Sequence, residues 1–268
     1  MRRFGVSNPK VAGVVILCLT VFAALAQAET YIVAHVPFGG GWSTRLFFAN
    51  SGAADVTADV AFFTMTGTTG SVPLEGQGAQ STQHIAVGKN QVATINVDPT
   101  QRNATTSVNV MWATVTTNGP LNILSLFDSS VPTTVPSVVP ATLVTGAVGA
   151  QSVATATSFR FPIAVNGPLH FNAGLAVSNP NASTVNYTVH LLNADGTTRD
   201  TAQKSLPAKG QTSFVVSDTT VFPNANFDPN TQFTGSIAVC ATQPMGLVTI
   251  GIEGGALYTI SVTNDLCP

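Results

Sequence analysis

The chain has 268 residues, of which 8% are charged and 44% hydrophobic, with a formal net charge of −2. So little charge, and of that sign, argues against gripping nucleic acid or anionic lipid through a bulk cationic surface. The high apolar content rules out the composition of a disordered chain, and the scarcity of Lys, Glu and Arg leaves little to populate exposed helix faces. Polarity is supplied by Thr, Ser, Asn, Gln and Gly, and with Val these suit β-sheet surfaces.

Residues 1–28 read as a cleaved secretory signal peptide. Arg2, Arg3 and Lys10 precede an apolar run from Val11 to Leu25, which ends in Ala26-Gln27-Ala28. A basic start, a short apolar core and an A-x-A site are the marks of an export signal. The run is shorter than the ~20 residues a membrane span needs. Cys18 lies inside the apolar core, which argues against a lipoprotein. Without this segment, seven Lys/Arg face twelve Asp/Glu, a net charge of −5. The expected location is secreted, periplasmic or cell-surface, with no integral membrane span in the mature chain.

Residues 29–130 and 153–268 read as two copies of one unit. With Asn50 aligned to Asn179, Trp42 falls on Phe171, Leu46 on Leu175 and Phe48 on Val177. Val56, Val60, Phe62 and Gly67 then meet Val185, Val189, Leu191 and Gly196, without a gap. The apolar period is two, which is strand chemistry. Asn50-Ser-Gly52 and Asn179-Pro-Asn181 supply turn residues. Downstream, residues 88–98 align with 208–218, and upstream Val36-Pro37 aligns with Phe161-Pro162.

The first copy predicts strands near 31–36, 44–50, 56–65, 82–87, 92–97, 107–116 and 121–127. The second predicts them near 157–163, 170–178, 184–193, 199–205, 212–217, 234–241 and 246–252, with 256–262 as an extra. Asp195-Gly196 between apolar alternations is a hairpin signal. Between the copies, residues 131–152 read as a proline-rich linker or edge segment, because Pro132, Pro136 and Pro140 cannot run through a central strand. The expected fold class is therefore all-β, two tandem antiparallel β-sandwich domains.

The Val-Pro or Phe-Pro opening, the Gly-containing loop, L-x-(F/V)-x-N at 46–50 and 175–179, and the alternating Val that follows resemble immunoglobulin-like modules of bacterial exported and surface proteins. The antibody-type Cys…Trp…Cys spacing occurs in neither copy. The resemblance implies a binding, adhesive or spacer role at the cell surface and carries over no functional residues.

Candidate sites are few. Gly39-Gly40-Gly41-Trp42 lacks the Lys and the following helix of a phosphate cradle, so it reads as a turn that lets Trp42 pack at the sandwich edge. Trp42 is the candidate ligand contact, because an aromatic face can stack on a sugar ring. His35, His84, His170 and His190 have no zinc-type spacing, and His190 is expected to be exposed. Asp98, Asp218 and Asp228 read as turn caps and form no calcium loop. No G-x-S-x-G or carboxylate pair stands out. The chain is thus read as not an enzyme, with no cofactor and no metal.

Phe47 and Phe63 fall on a nominally solvent-facing side, so a second element or subunit is expected to cover them. Cys240 and Cys267 either pair as a disulfide, suited to an exported chain, or remain two buried thiols. The expected partners are a protein or glycan at the surface, or further copies of the chain. The alternatives are a carbohydrate-binding module built on Trp42, or a fibre subunit that adds the segment TYIVAHVPF to a neighbour as a strand.

Overall fold

The computed structural model describes residues 28–135, 142–152, 154–253 and 256–268; the expected signal peptide lies outside these. The protein is all-β, and every strand pairing is antiparallel. The strands of the first half are Glu29–Phe38 (β1), Trp42–Ala49 (β2), Val56–Thr64 (β3), Val72–Leu74 (β4), Gly78–Gln80 (β5), Thr82–Val87 (β6), Val92–Asn96 (β7), Asn109–Thr117 (β8), Asn122–Val135 (β9) and Thr142–Gln151 (β10). Those of the second are Ala156–Asn166 (β11), Phe171–Ser178 (β12), Val185–Asn193 (β13), Thr198–Leu206 (β14), Gln211–Val215 (β15), Gln232–Glu253 (β16) and Ala256–Thr259 (β17).

The first half has two four-stranded sheets, ordered β1-β8-β3-β6 and β10-β9-β2-β7. Val33, Phe48, Val60, Phe62, Ile95 and Val115 from both sheets share one core. In the second half β11, β16, β13 and β14 pair in the same order as the first sheet, and β17, β16, β12 and β15 in the order of the second. Here one long strand serves both layers: Gln232–Ala241 of β16 pairs with β11 and β13, and Gly246–Glu253 pairs with β12. Val185, Tyr187, Val189 and Leu191 alternate into the second core, as Val56, Ala58, Val60 and Phe62 do into the first. Period-two patterning thus places one side of each strand in a core and leaves the other for solvent or the neighbouring half.

The repeated Asn is a buried clamp in both copies. Asn50 Nδ2 donates to the carbonyls of Ala54, Val87 and Gly88 at 2.8, 3.0 and 3.3 Å, and its Oδ1 accepts from Gly52 N. Asn179 Nδ2 donates to Ser183, Leu206 and Pro207 at 2.8, 3.3 and 2.8 Å, and its Oδ1 accepts from Asn181 N. Each amide satisfies backbone carbonyls that would otherwise be buried without a donor.

The structure alters three details. Val36 pairs with Met111, whereas Phe161 pairs with Ile237 and Ile163 with Gly235. Since Phe63 faces Trp112 and Leu192 faces Ser236, the counterpart of Val36 is Ile163, not Phe161. A bulge between Val33 and Val36 adds one further residue to β1, so that Val33 is the counterpart of Phe161. The loop at 71–81 contains a small hairpin, β4–β5. Residues 142–151 of the segment read as linker form β10, which pairs with β9; Pro136 and Pro140 lie outside the described residues.

The halves are docked on each other. Trp112, fully buried, donates from Nε1 to Lys209 O at 2.8 Å, and Gln211 N donates to Met65 O at 2.9 Å. Ile32, Ala34, Phe63 and Trp112 cluster with Val248 across the junction. Approach is close enough that a Cβ on Gly67 would stand 2.0 Å from Ala208 O, and one on Gly246 would stand 2.2 Å from Ile32 Cγ2. Cys240 and Cys267 are disulfide-bonded, 27 positions apart, and the tail they anchor bridges Thr263 to Arg160.

Candidate functional site: a cleft at the junction of the halves

On β12, β15, β16 and β17 the residues that point away from the second core form an apolar sheet face. Val248, Ile250 and Ile252 alternate with Leu247, which faces the core, and Thr249, which is buried, so β16 carries apolar side chains outward and a buried set inward here. Such a strand needs cover on both faces. The first half supplies part of it through Phe127, Val148 and Ala150, which cluster with Trp42, Val248, Ile250 and Leu257. What it does not cover is a cleft of about 300 Å³, walled by His35, Trp42 and Phe127 on one side and by Ala176, Phe214, Ile250 and Leu257 on the other.

The glycine loop sets Trp42 in this wall. Gly39, Gly40 and Gly41 all take positive φ, at 73°, 54° and 90°, which tightens the β1–β2 turn. Gly40 N donates to Thr105 O and Gly41 N to Arg102 O, so these two amides bind the neighbouring loop rather than an anion. Trp42 itself begins β2 and is half-buried.

His35 stands at the bulge of β1, its ring edge-on to Phe127 with centroids 5.7 Å apart. Gln211 Nε2 lies 3.2 Å from His35 Nδ1. An amide nitrogen only donates, so Nδ1 accepts and the neutral ring carries its proton on Nε2. Desolvation in these apolar surroundings lowers the imidazole pKa to about 4, so the ring is uncharged at neutral pH. Asp218 also borders the cleft. Its Oδ1 accepts from Thr220 N and Oγ1 at 2.8 and 2.7 Å, a turn cap repeated by Asp98 with Thr100. No Lys or Arg lines the cleft.

The other singled-out residues lie elsewhere. Phe63 stacks on Trp112, with centroids 4.9 Å apart and planes at 26°, and Lys209 Nζ lies 5.7 Å from its centroid. It belongs to the junction. Phe47 lies half-buried on the outer face of the first half, between Leu124 and Thr94 of its own sheet, with the Arg45 guanidinium 5.9 Å from its ring centroid. His190 is half-buried, not exposed, and desolvation lowers its pKa. His84 contacts Asp59 at 2.7 Å on the surface. Asp228 accepts from Asn230 N at 2.7 Å, as a turn cap does.

Sequence reasoning found Trp42 and missed His35, Phe127 and Leu257 as its partners. The available signal was the row Val248, Ile250 and Ile252, large apolar residues alternating with the core residue Leu247.

Among the described residues no helix is long and apolar enough to cross a membrane, a statement that does not bear on β-barrels. Among the same residues no group of three or more His, Cys, Asp or Glu is placed to hold a metal. A scan against protein-family models finds none that matches this chain, and a search of curated proteins finds no match either.

Proposed function

We propose that this is an exported, non-catalytic binding protein made of two immunoglobulin-like modules, which holds its ligand in the cleft where they meet. One observation carries this reading: an open apolar cleft, with Trp42 and His35 in its wall, at a junction otherwise closely packed. Ligand sites favour concave, mostly apolar places between structural units, with a few polar groups that orient the ligand. The matching strand order of the halves supports the two-module reading. The basic-apolar-A-x-A start supports export. Against a fibre subunit that donates its first strand, β1 is already paired with β8 over Glu29–Phe38 and packs into the junction.

The test uses the two tryptophans. Trp112 is sealed in the junction, so a change in emission on adding a small ligand reports Trp42. A panel of neutral, anionic, cationic and saccharide compounds is expected to contain members that shift Trp42 emission and raise the melting temperature. The shift should vanish in Ser213→Phe, which places a ring in the cleft from an exposed wall position. A panel silent in both signals, or responses that persist in Ser213→Phe, would overturn the proposal.

A further inference from the structure

We propose that the cleft selects an uncharged, ring-bearing apolar ligand with a hydrogen-bond acceptor, which His35 binds through its Nε2–H. This rests on the cleft reading above and names the ligand class.

The argument begins with the two nitrogens of His35. Nδ1 is engaged by Gln211 Nε2. Among the described residues Nε2 has no hydrogen-bond partner, and it is not among the buried side-chain atoms left without one. It therefore remains accessible, on a residue that lines the cleft. Gln211 is itself 2% exposed and fixed between β12 and the junction, so it holds the imidazole in one tautomer and one orientation. A fixed donor in an apolar wall is the kind of polar group that orients a ligand.

Charge then narrows the class. An anion would find no Lys or Arg in the cleft, and His35 offers no positive charge above about pH 4. A cation would find Asp218 alone, whose Oδ1 is already taken by Thr220. Moving either ion from water into this setting is unfavourable without a paired countercharge. A neutral ring meets the faces of Trp42 and Phe127 and the aliphatic groups of Ile250 and Leu257 with no such penalty. An acceptor on that ring satisfies the His35 donor, which an acceptor-free ligand would leave desolvated and unpaired.

Four probes of similar size separate the outcomes: acetophenone, ethylbenzene, benzoate and benzyltrimethylammonium, each titrated into the full exported chain by Trp42 emission and calorimetry at pH 7. Acetophenone is expected to bind about fivefold tighter than ethylbenzene, the ratio that one net hydrogen bond gives. It should bind at least about tenfold tighter than either ion. His35→Leu should bring the ratio of acetophenone to ethylbenzene affinity down to about one. Equal binding of acetophenone and ethylbenzene overturns the His35 assignment and leaves the cleft as a ligand site. Tightest binding by benzoate or benzyltrimethylammonium overturns the uncharged class. Silence from all four removes the cleft reading itself. Should His35→Leu fail to fold, the wild-type preference decides, with Ser213→Phe locating the site.

Discussion

Acidification from pH 7 to pH 4.5 should destabilise the protein through His35. In the unfolded chain this imidazole titrates near the ordinary histidine value of 6.5, and in the folded protein burial holds it near 4. As pH falls through 6.5 the unfolded state takes up a proton that the folded state refuses until about pH 4. Stability is therefore fully present above the unfolded value and lost progressively between about 6.5 and 4. A difference of 2.5 units corresponds to roughly 3 kcal/mol at its limit, and about 2.5 kcal/mol of that is lost by pH 4.5. Solvent that reaches the ring through the cleft lessens the penalty, so about 2 kcal/mol is the expected loss.

The assay is urea unfolding at both pH values for the wild type and for His35→Phe, which keeps an aromatic edge against Phe127 and removes the titrating group. Every other ionisable side chain is common to both proteins and cancels in the comparison. Asp218 is the only charged side chain that shares the cleft with His35, so its influence should be small. The wild type should lose about 2 kcal/mol more than the variant. Equal losses would show that the imidazole is as well solvated folded as unfolded, which would refute both the buried His35 and the orienting contact with Gln211.

Breaking the Cys240–Cys267 bond with Cys267→Ser should destabilise by at most about 3.5 kcal/mol, the loop-closure value for a separation of 27, seen as a lower urea midpoint under oxidising conditions. Gly67→Ala, which drives a Cβ to 2.0 Å from Ala208 O at a φ of +88°, should undock the halves and split thermal unfolding into two transitions; one unchanged transition would count against a tight junction. Asn50→Ala and Asn179→Ala should each cost about 2–3 kcal/mol in denaturant unfolding and match within about 1 kcal/mol, because each strands three backbone carbonyls in the same local setting.

What the sequence displayed was local. Alternation at Val56–Phe62 and Val185–Leu191 placed β3 and β13, because a period of two has one meaning on a strand that faces a core. The paired Asn50 and Asn179 marked equivalent turns, since the clamp they make is with residues close by or on the next hairpin. The β4–β5 hairpin escaped notice because three-residue strands joined through Gly76 and Gly78 are too short to show a period. The register of β1 was hidden because the Val36-Pro37 and Phe161-Pro162 steps look alike in sequence but stand two residues apart in the pairing. The cleft was least legible: His35, Trp42, Phe127, Ile250 and Leu257 come from five strands in different halves, and nothing in their spacing foretells that they meet.

Equivalent strand positions of the two halves explain why the second half offers the cleft a bare outer sheet face. Pairing places Phe47 beside Leu124, and Ala176 beside Val248 at the equivalent site; Arg45 lies beside Leu126, and Gly174 beside Ile250. The first half thus carries Phe and Arg where the second carries Ala and Gly. On the first half the larger side chains cover their own sheet, with Arg45 over Phe47. On the second half the same positions are nearly bare, so the aliphatic row of β16 lies open to whatever docks there. The edge of the first half docks there, and Phe127, Trp42, Ala176 and Gly174 line the cleft that remains. The two halves therefore differ on one strand face, Arg45 and Phe47 against Gly174 and Ala176, in a way that turns a plain outer face into one wall of a cleft. The same logic makes Ser213, cross-strand from Ala176, the place where one added ring should close it.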